Sequence, residues 1–157
     1  MPDWYTIGVM QIRKVIPDDS LEWARMRYTL WPDALQVHLE EIQSFFAGES
    51  IDIVETFVLD RGQGGLGGFI EINIRNFAEG SRNARVPYIE AWFVDADLRA
   101  HGYGRLLIET AESWARQQGF DELASDAELE NPAGIAAHMA MGFSEVERVV
   151  CFLKKLT

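Results

Sequence analysis

The stretch Arg99-Ala100-His101-Gly102-Tyr103-Gly104 decides how this chain folds, because it joins two segments of different periodicity. The preceding run, Tyr88 to Val94, is short, apolar and β-rich, which is typical of a buried strand. The following run, Leu106 to Gln118, has apolar residues at helical spacing and ends before Gly119. Two glycines let the backbone approach a ligand, and the free N–H groups of a helix N-terminus attract anions. The junction predicts a phosphate-binding loop, although an ordinary turn explains the same glycines.

Length and composition indicate one domain with a hydrophobic core. The chain has 157 residues, 48% of them hydrophobic, and its apolar runs are too short to cross a bilayer. We predict a single domain over residues 1–157, with residues 1–8 as a leader, in a soluble cytoplasmic protein. The single cysteine, Cys151, excludes an internal disulfide, and its apolar surroundings favour a buried structural thiol.

The charge of the chain restricts its partners. The net charge is −11, from 25 acidic and 14 basic residues, which argues against nucleic acid and favours cationic partners. A solvated surface explains most of the acidic residues. The three histidines have no metal-ligand spacing with one another or with Cys151, so we expect no metal.

The hydrophobic pattern predicts elements in the order β-α-α-β-β-β-α-β-α-β, hence an α/β (α+β) fold with a sheet and about four helices. Asp19 and Glu22 have capping-box spacing before a first helix that ends at Pro32, and Asp33 caps a second helix that reaches Gly48. The other predicted elements are strands 9–15, 53–60, 66–75, 88–94, 122–126 and 144–156, and helices 106–118 and 132–141.

The segment Gly62-Gln-Gly64-Gly-Leu-Gly67 matches the Gly-x-Gly-x-x-Gly dinucleotide fingerprint. The fingerprint requires a helix after the glycines, but an alternating strand, Phe69 to Ile74, follows here. A hairpin turn therefore explains these glycines better.

Five groups of residues resemble a known family and together span nearly the full chain. They are Leu30-Trp31-Pro32, Ile89-Glu90-Ala91-Trp92-Phe93-Val94, the Arg99–Gly104 loop, Ala124-Ser125-Asp126 with Glu130-Asn131, and Met141 to Val149. These residues and the element order resemble the GCN5-related N-acetyltransferase superfamily, most closely its aminoglycoside 6′-N-acetyltransferases. The resemblance implies a mixed central sheet with splayed strands and the use of acetyl-coenzyme A.

The resemblance also implies direct transfer of acetyl to a primary amine of an aminoglycoside, expected to be the 6′ amine, which confers antibiotic resistance. Two alternatives stay open: acetylation of another amine, such as a polyamine or a protein N-terminus, and a non-catalytic coenzyme A-binding sensor. Relatives of this branch are often dimers. The apolar run Val149 to Leu153 is consistent with a homodimer, and a core strand explains it equally well.

The cofactor residues implied by the resemblance lie on the Tyr88 strand, in the glycine loop and around the last helix. They are Trp92, Phe93, Val94, Arg99, Ala100, His101, Gly102, Tyr103, Gly104, Arg105, Asn131 and His138. In the family, backbone groups at the first three pair with the pantetheine arm, and the loop holds the pyrophosphate. Asn131 is also a natural helix N-cap. His138 stands where many members carry a tyrosine that protonates the thiolate, and a packed residue or a coenzyme contact are its alternatives.

Two carboxylates are the expected catalytic residues. Glu90 interrupts an apolar strand, where an acid is costly unless it is paired or functional, and an ion pair with an arginine is the alternative. Asp126 ends a short strand, where a turn or cap role is the alternative. The resemblance implies that one of them accepts the proton of the amine. The implied substrate-binding set is Trp31, Phe77, Glu90, Asp126 and Glu147.

Overall fold

The helices and strands of this protein are taken from a computed structural model that describes residues 9–32 and 34–157. In chain order they are β1 (Gln11–Lys14), α1 (Ser20–Leu30), α2 (Leu35–Phe46), β2 (Glu55–Asp60), β3 (Leu66–Arg75), β4 (Val86–Val94), α3 (Tyr103–Gln117), β5 (Ala124–Ser125) and α4 (Pro132–Ala140). Short 3-10 turns span Pro17–Asp19 and Ala96–Leu98. The predicted leader and the predicted cap Asp33 lie outside the described residues.

The strands form one mixed sheet in the order β1-β2-β3-β4-β5. The first four strands are antiparallel, and β5 runs parallel to β4. The predicted fold class is confirmed, as is the element order through α4. The glycine-rich segment 62–67 lies in the hairpin between β2 and β3, which agrees with the rejection of a dinucleotide fingerprint.

The alternating side chains of the strands build a large core on each face of the sheet, and a smaller cluster includes Val86 and Tyr88 of β4. Phe69 packs on one face with residues of α1 and α2, including Trp23 and Ile42. Ile70 lies on the opposite face with residues of α3, including Leu107 and Trp114. Burying a side chain of this size stabilises the fold by about 1.5–3 kcal/mol. The two cores fix the ends of α1, α2, β3 and β4 relative to one another.

The predicted capping box at the start of the first helix is wrong. The Asp19 side chain does not cap α1. Its carboxylate instead accepts hydrogen bonds from the Arg13 guanidinium at 2.7 and 2.9 Å, and one from the Ile16 N–H at 2.9 Å. The arginine on β1 is a charged donor, so it forms a stronger hydrogen bond than the helix N–H groups offer.

The predicted last strand is not formed in the single chain, because the segment from residue 144 to the C-terminus has no regular structure. A strand needs a partner, and within the described residues β5 contributes only two residues to the sheet and pairs with β4 alone. The segment is exposed, to 92% at Phe152, and the prediction of a buried Cys151 is wrong for the same reason. Among the described residues, no helix is long and apolar enough to span a membrane.

Candidate active site

A β-bulge places Glu90 where the strand alternation would not. Glu71 of β3 pairs with Ala91, but the next residue, Ile72, pairs with Ile89, so Glu90 is the extra residue on β4. A bulge of this kind re-aims a side chain and bends the strand. The carboxylate can therefore leave the apolar interior and line a cavity.

The cavity beside Glu90 has a volume of about 630 Å³ and lies between α1, α2 and the end of the sheet. Of the predicted substrate residues, Trp31 and Glu90 line it. The charged side chains around it are mostly acidic: six carboxylates (Glu40, Glu41, Glu49, Asp52, Glu71 and Glu90) and two guanidinium groups (Arg27 and Arg75). The excess of negative charge in a concave site attracts cations.

A buried ion pair supports the wall that carries Trp31. Glu71 is only 2% exposed, and its Oε1 accepts hydrogen bonds from Arg27 at 2.5 Å and from Trp23 Nε1 at 2.9 Å. Burial raises the pKa of Glu71, whereas the two donors act to lower it. Arg27 also lies 5.4 Å from the centre of the Trp31 ring. The pair thus compensates a buried charge and contacts the aromatic wall of the cavity.

His38 ties α2 to the end of α1. Arg27 Nε can only donate, so His38 Nδ1 accepts its hydrogen bond at 3.3 Å. The other ring nitrogen, Nε2, then carries the proton and donates to the Trp31 carbonyl at 2.9 Å. Sequence reasoning missed Arg27, His38 and Glu71. The only signal was an acidic residue within the apolar run Phe69 to Ile74.

The two expected catalytic carboxylates are linked through Arg75 and Tyr88. Arg75 donates to Glu90 twice, at 2.7 and 2.6 Å, and Asn73 donates once, at 3.2 Å. The same guanidinium lies 3.6 Å from the centre of the Tyr88 ring, and the Tyr88 hydroxyl donates to Asp126 at 2.9 Å. The ion pair with an arginine, which is the alternative role predicted for Glu90, is therefore present. The sequence did not identify Asn73, Arg75 or Tyr88.

The contacts among Glu90, Arg75, Tyr88 and Asp126 explain the charge states of Arg75 and Tyr88. The hydrogen bond to Glu90 raises the pKa of Arg75, so the guanidinium group stays positively charged. Burial, and then the hydrogen bond to Asp126, raises the pKa of Tyr88. The phenol is therefore a donor and not an anion, whereas Asp126 is exposed to solvent.

Three predicted substrate residues lie outside the cavity. Phe77 is 66% exposed in the loop between β3 and β4, and Glu147 lies in the exposed C-terminal segment. Neither residue lines the cavity of Trp31 and Glu90. Asp126 does not line it either, and among the described residues it is connected to the cavity through Tyr88 and Arg75.

The predicted cofactor strand is open along one edge. β5 pairs with β4 only at Tyr88 and Ile89, so residues 90–94 of β4 have no further strand beside that edge in the described part of the chain. Trp92, Phe93 and Val94 lie in this splayed stretch. The carbonyl of Val94 already accepts a hydrogen bond from Arg99 Nε at 2.9 Å.

The loop after β4 ends in a helix start that suits an anion. Ala100 and Gly102 both have positive φ, +61° and +87°, which turns the chain sharply into α3. The first turn is closed by the hydrogen bond from the Leu106 N–H to the Gly102 carbonyl, at 3.1 Å. The N–H groups at the start of α3, which begins at Tyr103, have no partner within the helix. The backbone here fits a phosphate group.

The side chains of the same loop provide a weaker case for ligand binding than its backbone does, because two of them already form hydrogen bonds within the protein. His101 is exposed and bonds the carbonyl of Arg99 at 2.7 Å, and Arg105 donates to the carbonyl of Ala140 on α4 at 3.1 Å. A Cβ added at Gly104 would lie 3.2 Å from the Trp92 ring. Gly104 therefore also allows the start of α3 to pack closely against β4.

The last helix brings two polar side chains to the open edge of β4. Asn131 Oδ1 accepts a hydrogen bond from the Gly134 N–H at 3.0 Å, so the N-cap role of Asn131 is confirmed. His138 Nδ1 donates to the Gly134 carbonyl at 2.7 Å, which leaves Nε2 to accept from the Ser125 hydroxyl, also at 2.7 Å. The ring of His138 packs edge-on against Trp92, with centroids 5.4 Å apart. His138 is thus packed and also lies beside the predicted cofactor strand.

Comparisons with known proteins identify the family of this chain. A model of the Acetyltransferase (GNAT) family matches residues 19–143. An aminoglycoside N(6′)-acetyltransferase type 1 from Klebsiella aerogenes is 40% identical over 92% of this chain and 96% of that protein. A protein of the same name from Stenotrophomonas maltophilia is 37% identical over 90% of each chain.

Solved structures are similar over the same extent. The aminoglycoside antibiotic 6′-N-acetyltransferase of Acinetobacter baumannii is 31% identical, with a TM-score of 0.86 over 95% of this chain and all of that one. An aminoglycoside N-acetyltransferase crystallised with a bisubstrate analogue, CoA-S-monomethyl-acetylneamine, is 28% identical. Its TM-score is 0.84, over 95% of this chain and all of that one. Within residues 9–32 and 34–157, no cluster of three or more potential ligands could hold a metal ion.

Proposed function

Because the chain belongs to the Acetyltransferase (GNAT) family, we propose that it transfers acetyl from acetyl-coenzyme A to a primary amine, the 6′ amine, of an aminoglycoside antibiotic. The observation that carries this proposal is the acidic cavity of about 630 Å³ at the bulge of β4, beside the open strand edge. A polycationic acceptor and an acyl donor would meet at this place. Named relatives that act on aminoglycosides support the same substrate class.

The acceptor is bound by charge and by an aromatic surface. Ammonium groups of an aminoglycoside bind the carboxylates of the cavity, and Trp31 packs against a sugar ring. Each desolvated contact between a carboxylate and an ammonium group contributes about 1.5–3 kcal/mol. The outlying residues Phe77 and Glu147 belong to the proposal only as contacts at the rim.

The acyl donor lies along the open edge of β4. Its pantetheine arm pairs with backbone groups of Trp92 and Phe93, and its pyrophosphate binds the N–H groups from Gly102 to Arg105 at the start of α3. Arg99, Ala100 and His101 shape the approach to this loop. Asn131 and His138 line the same channel from α4.

The chemical step is a direct displacement. The neutral amine attacks the thioester carbonyl, the new C–N bond forms, the C–S bond breaks, and the sulfur leaves as thiolate. A backbone N–H near Trp92 stabilises the oxyanion, and a carboxylate takes the proton lost by nitrogen. Asp126, which lies outside the cavity and takes the proton through water, is the better acceptor, because Glu90 already takes three hydrogen bonds from Arg75 and Asn73.

Release of free thiol from acetyl-coenzyme A tests the proposed function. Kanamycin, spermine and a peptide with a free N-terminus are assayed in parallel. The variant Asp18→Asn, which loses an exposed carboxylate away from the site, is assayed beside the parent protein as a control. We expect turnover with kanamycin well above the other two amines. Faster turnover with spermine or the peptide would assign another amine. Coenzyme A binding without turnover on any amine would indicate a sensor.

We propose further that the protein is cytoplasmic and that two copies associate through the C-terminal segment. The segment carries apolar side chains that its own chain leaves exposed, at Val150, Phe152, Leu153 and Leu156. A groove of about 680 Å³ lies next to β5 and includes Ala124 and Ser125. The segment of a second copy would add a strand at this edge and bury these side chains.

Sedimentation velocity tests the association. We expect a dimer for the parent protein and a monomer for Phe152→Asp. The control Leu21→Asp places the same charge at an exposed apolar residue of α1 and should leave the dimer intact. A parent protein that sediments as a monomer at micromolar concentration would reject this interface.

A further inference from the structure

The acceptor cavity already contains a cation that belongs to the protein. Arg75 lies at the end of β3, lines the cavity, and forms two hydrogen bonds with the carboxylate of Glu90. Resting on the proposed function, we infer that the Arg75 guanidinium stands in for a substrate ammonium group and must leave Glu90 when the substrate binds. Arg75 is then a specificity-determining residue for polycationic amines.

The position that Arg75 occupies has the chemistry of a cation site. Glu90 supplies both carboxylate oxygens, at 2.7 and 2.6 Å, and the Tyr88 ring supplies a π face 3.6 Å from the guanidinium carbon. A carboxylate opposite an aromatic face binds an alkylammonium group by the same two interactions. We call this position, formed by Glu90 and Tyr88, the cation seat. Because the cation seat now holds the Arg75 guanidinium, we expect it to bind cationic groups.

Glu90 is better fixed in this pair than Arg75. The Glu90 side chain is 20% exposed, is set by the bulge of β4, and keeps a hydrogen bond from Asn73. The Arg75 side chain is 38% exposed, extends from the last residue of its strand, and is long enough to be solvated outside the cavity. An incoming ammonium group would therefore displace Arg75 and retain the carboxylate.

An internal competitor changes selectivity as well as affinity. Every amine that uses the cation seat must displace Arg75, and this lowers its apparent affinity by the same factor. A polycation offsets the loss with ammonium groups that contact the other carboxylates of the cavity, such as Glu40 and Asp52. A monoamine has no such contacts. Arg75 therefore suppresses binding of small monoamines more effectively than binding of an aminoglycoside.

Titration calorimetry of Arg75→Ala tests the inference. The matched control is Arg116→Ala, which removes the same charge from the exposed face of α3. We expect Arg75→Ala to bind kanamycin about tenfold more tightly than the parent and to bind butylamine measurably. Free guanidinium at millimolar concentration should compete with kanamycin in Arg75→Ala, but not in the parent or in Arg116→Ala, because it refills the emptied seat.

Each other outcome has a defined meaning. Weaker or unchanged binding of kanamycin by a folded Arg75→Ala protein, or recovery of lost activity by guanidinium, would make Arg75 a positioning residue for Glu90 and overturn the inference. If Arg75→Ala does not fold, Arg75→Lys replaces it and should bind kanamycin more tightly than the parent, because lysine makes no bidentate pair. A parent that neither binds nor acetylates kanamycin rejects the proposed function instead. Guanidinium binding to Arg75→Ala alone would then still identify the cation seat.

Discussion

Replacement of Asp126 by asparagine tests the proton-transfer step of the proposed reaction. The amide keeps the shape of the side chain, and its oxygen can still accept the Tyr88 hydroxyl that now lies 2.9 Å from the carboxylate. The change therefore removes charge and basicity and preserves the local hydrogen bond. General base catalysis contributes about 10²- to 10⁴-fold, and Asp126 is exposed, so we expect a fall in kcat near the lower end, about 100-fold.

Replacement of Glu90 by glutamine should give a different kinetic signature. Among the described residues Glu90 accepts three hydrogen bonds, and the amide would place an NH2 group against the Arg75 guanidinium. A lost charged contact with the substrate of about 1.5–3 kcal/mol corresponds to about a 10- to 100-fold fall in kcat/KM. We expect this loss mainly as a higher KM for kanamycin.

The assay is steady-state thiol release with kanamycin across about pH 6 to 9, together with calorimetry of coenzyme A binding. Asp126→Asn should lower kcat, whereas Glu90→Gln should mainly raise the KM for kanamycin. Coenzyme A affinity should be nearly unchanged in both. If Asp126→Asn retains the parent kcat, the proton acceptor is another group. If both variants match the parent, the acceptor site lies elsewhere.

Three further predictions concern the scaffold and the cofactor loop. Thr56 is buried and its hydroxyl has no hydrogen-bond partner among the described residues, so Thr56→Val should raise the free energy of unfolding by about 1 kcal/mol in urea titration. The Gly62 N–H and Arg13 hold the pKa of Asp60 below its ordinary value, which stabilises the fold above the unfolded pKa of 3.8 and less as pH falls below it. Arg13→Met should therefore be less stable than the parent at neutral pH, with a difference that shrinks in acid; a constant difference would contradict this. A Cβ added at Gly104 would lie 3.2 Å from the Trp92 ring on β4, and Gly104→Val should raise the KM for acetyl-coenzyme A in a protein that still folds.

Local signals explain why much of the scaffold could be predicted. Within about twenty residues, the sequence shows the two-residue periodicity of a strand, then glycines, then the 3.6-residue periodicity of a helix. The structure has β4, the loop and α3 at these positions. Asn131 caps α4 because the cap needs only the next few residues of the chain. For the first helix the local rule failed, because Arg13 on β1 bonds Asp19 more strongly than the helix N–H groups could.

The candidate site depended on contacts between distant residues. Glu90 stood out in the sequence as an acid in an apolar strand, but its partner Arg75 lies on the neighbouring strand. The bulge that turns Glu90 into the cavity is a property of the pairing of β3 with β4, and no periodicity in β4 encodes it. Arg27 and Glu71 likewise become one buried pair only when α1 packs on β3.

By itself the sequence determined the type and order of the elements through α4, the glycine-rich helix start after β4, and an acidic chain suited to cations. These features follow from local periodicity, turn chemistry and composition, which do not require the rest of the molecule. Tertiary structure alone decided which side chains face the cavity, that Arg75 occupies the cation seat between Glu90 and Tyr88, and that residues 144–157 form no strand in a single chain. Register, ion pairing and strand formation each need a partner from a distant part of the chain or from a second molecule, and local sequence does not specify that partner.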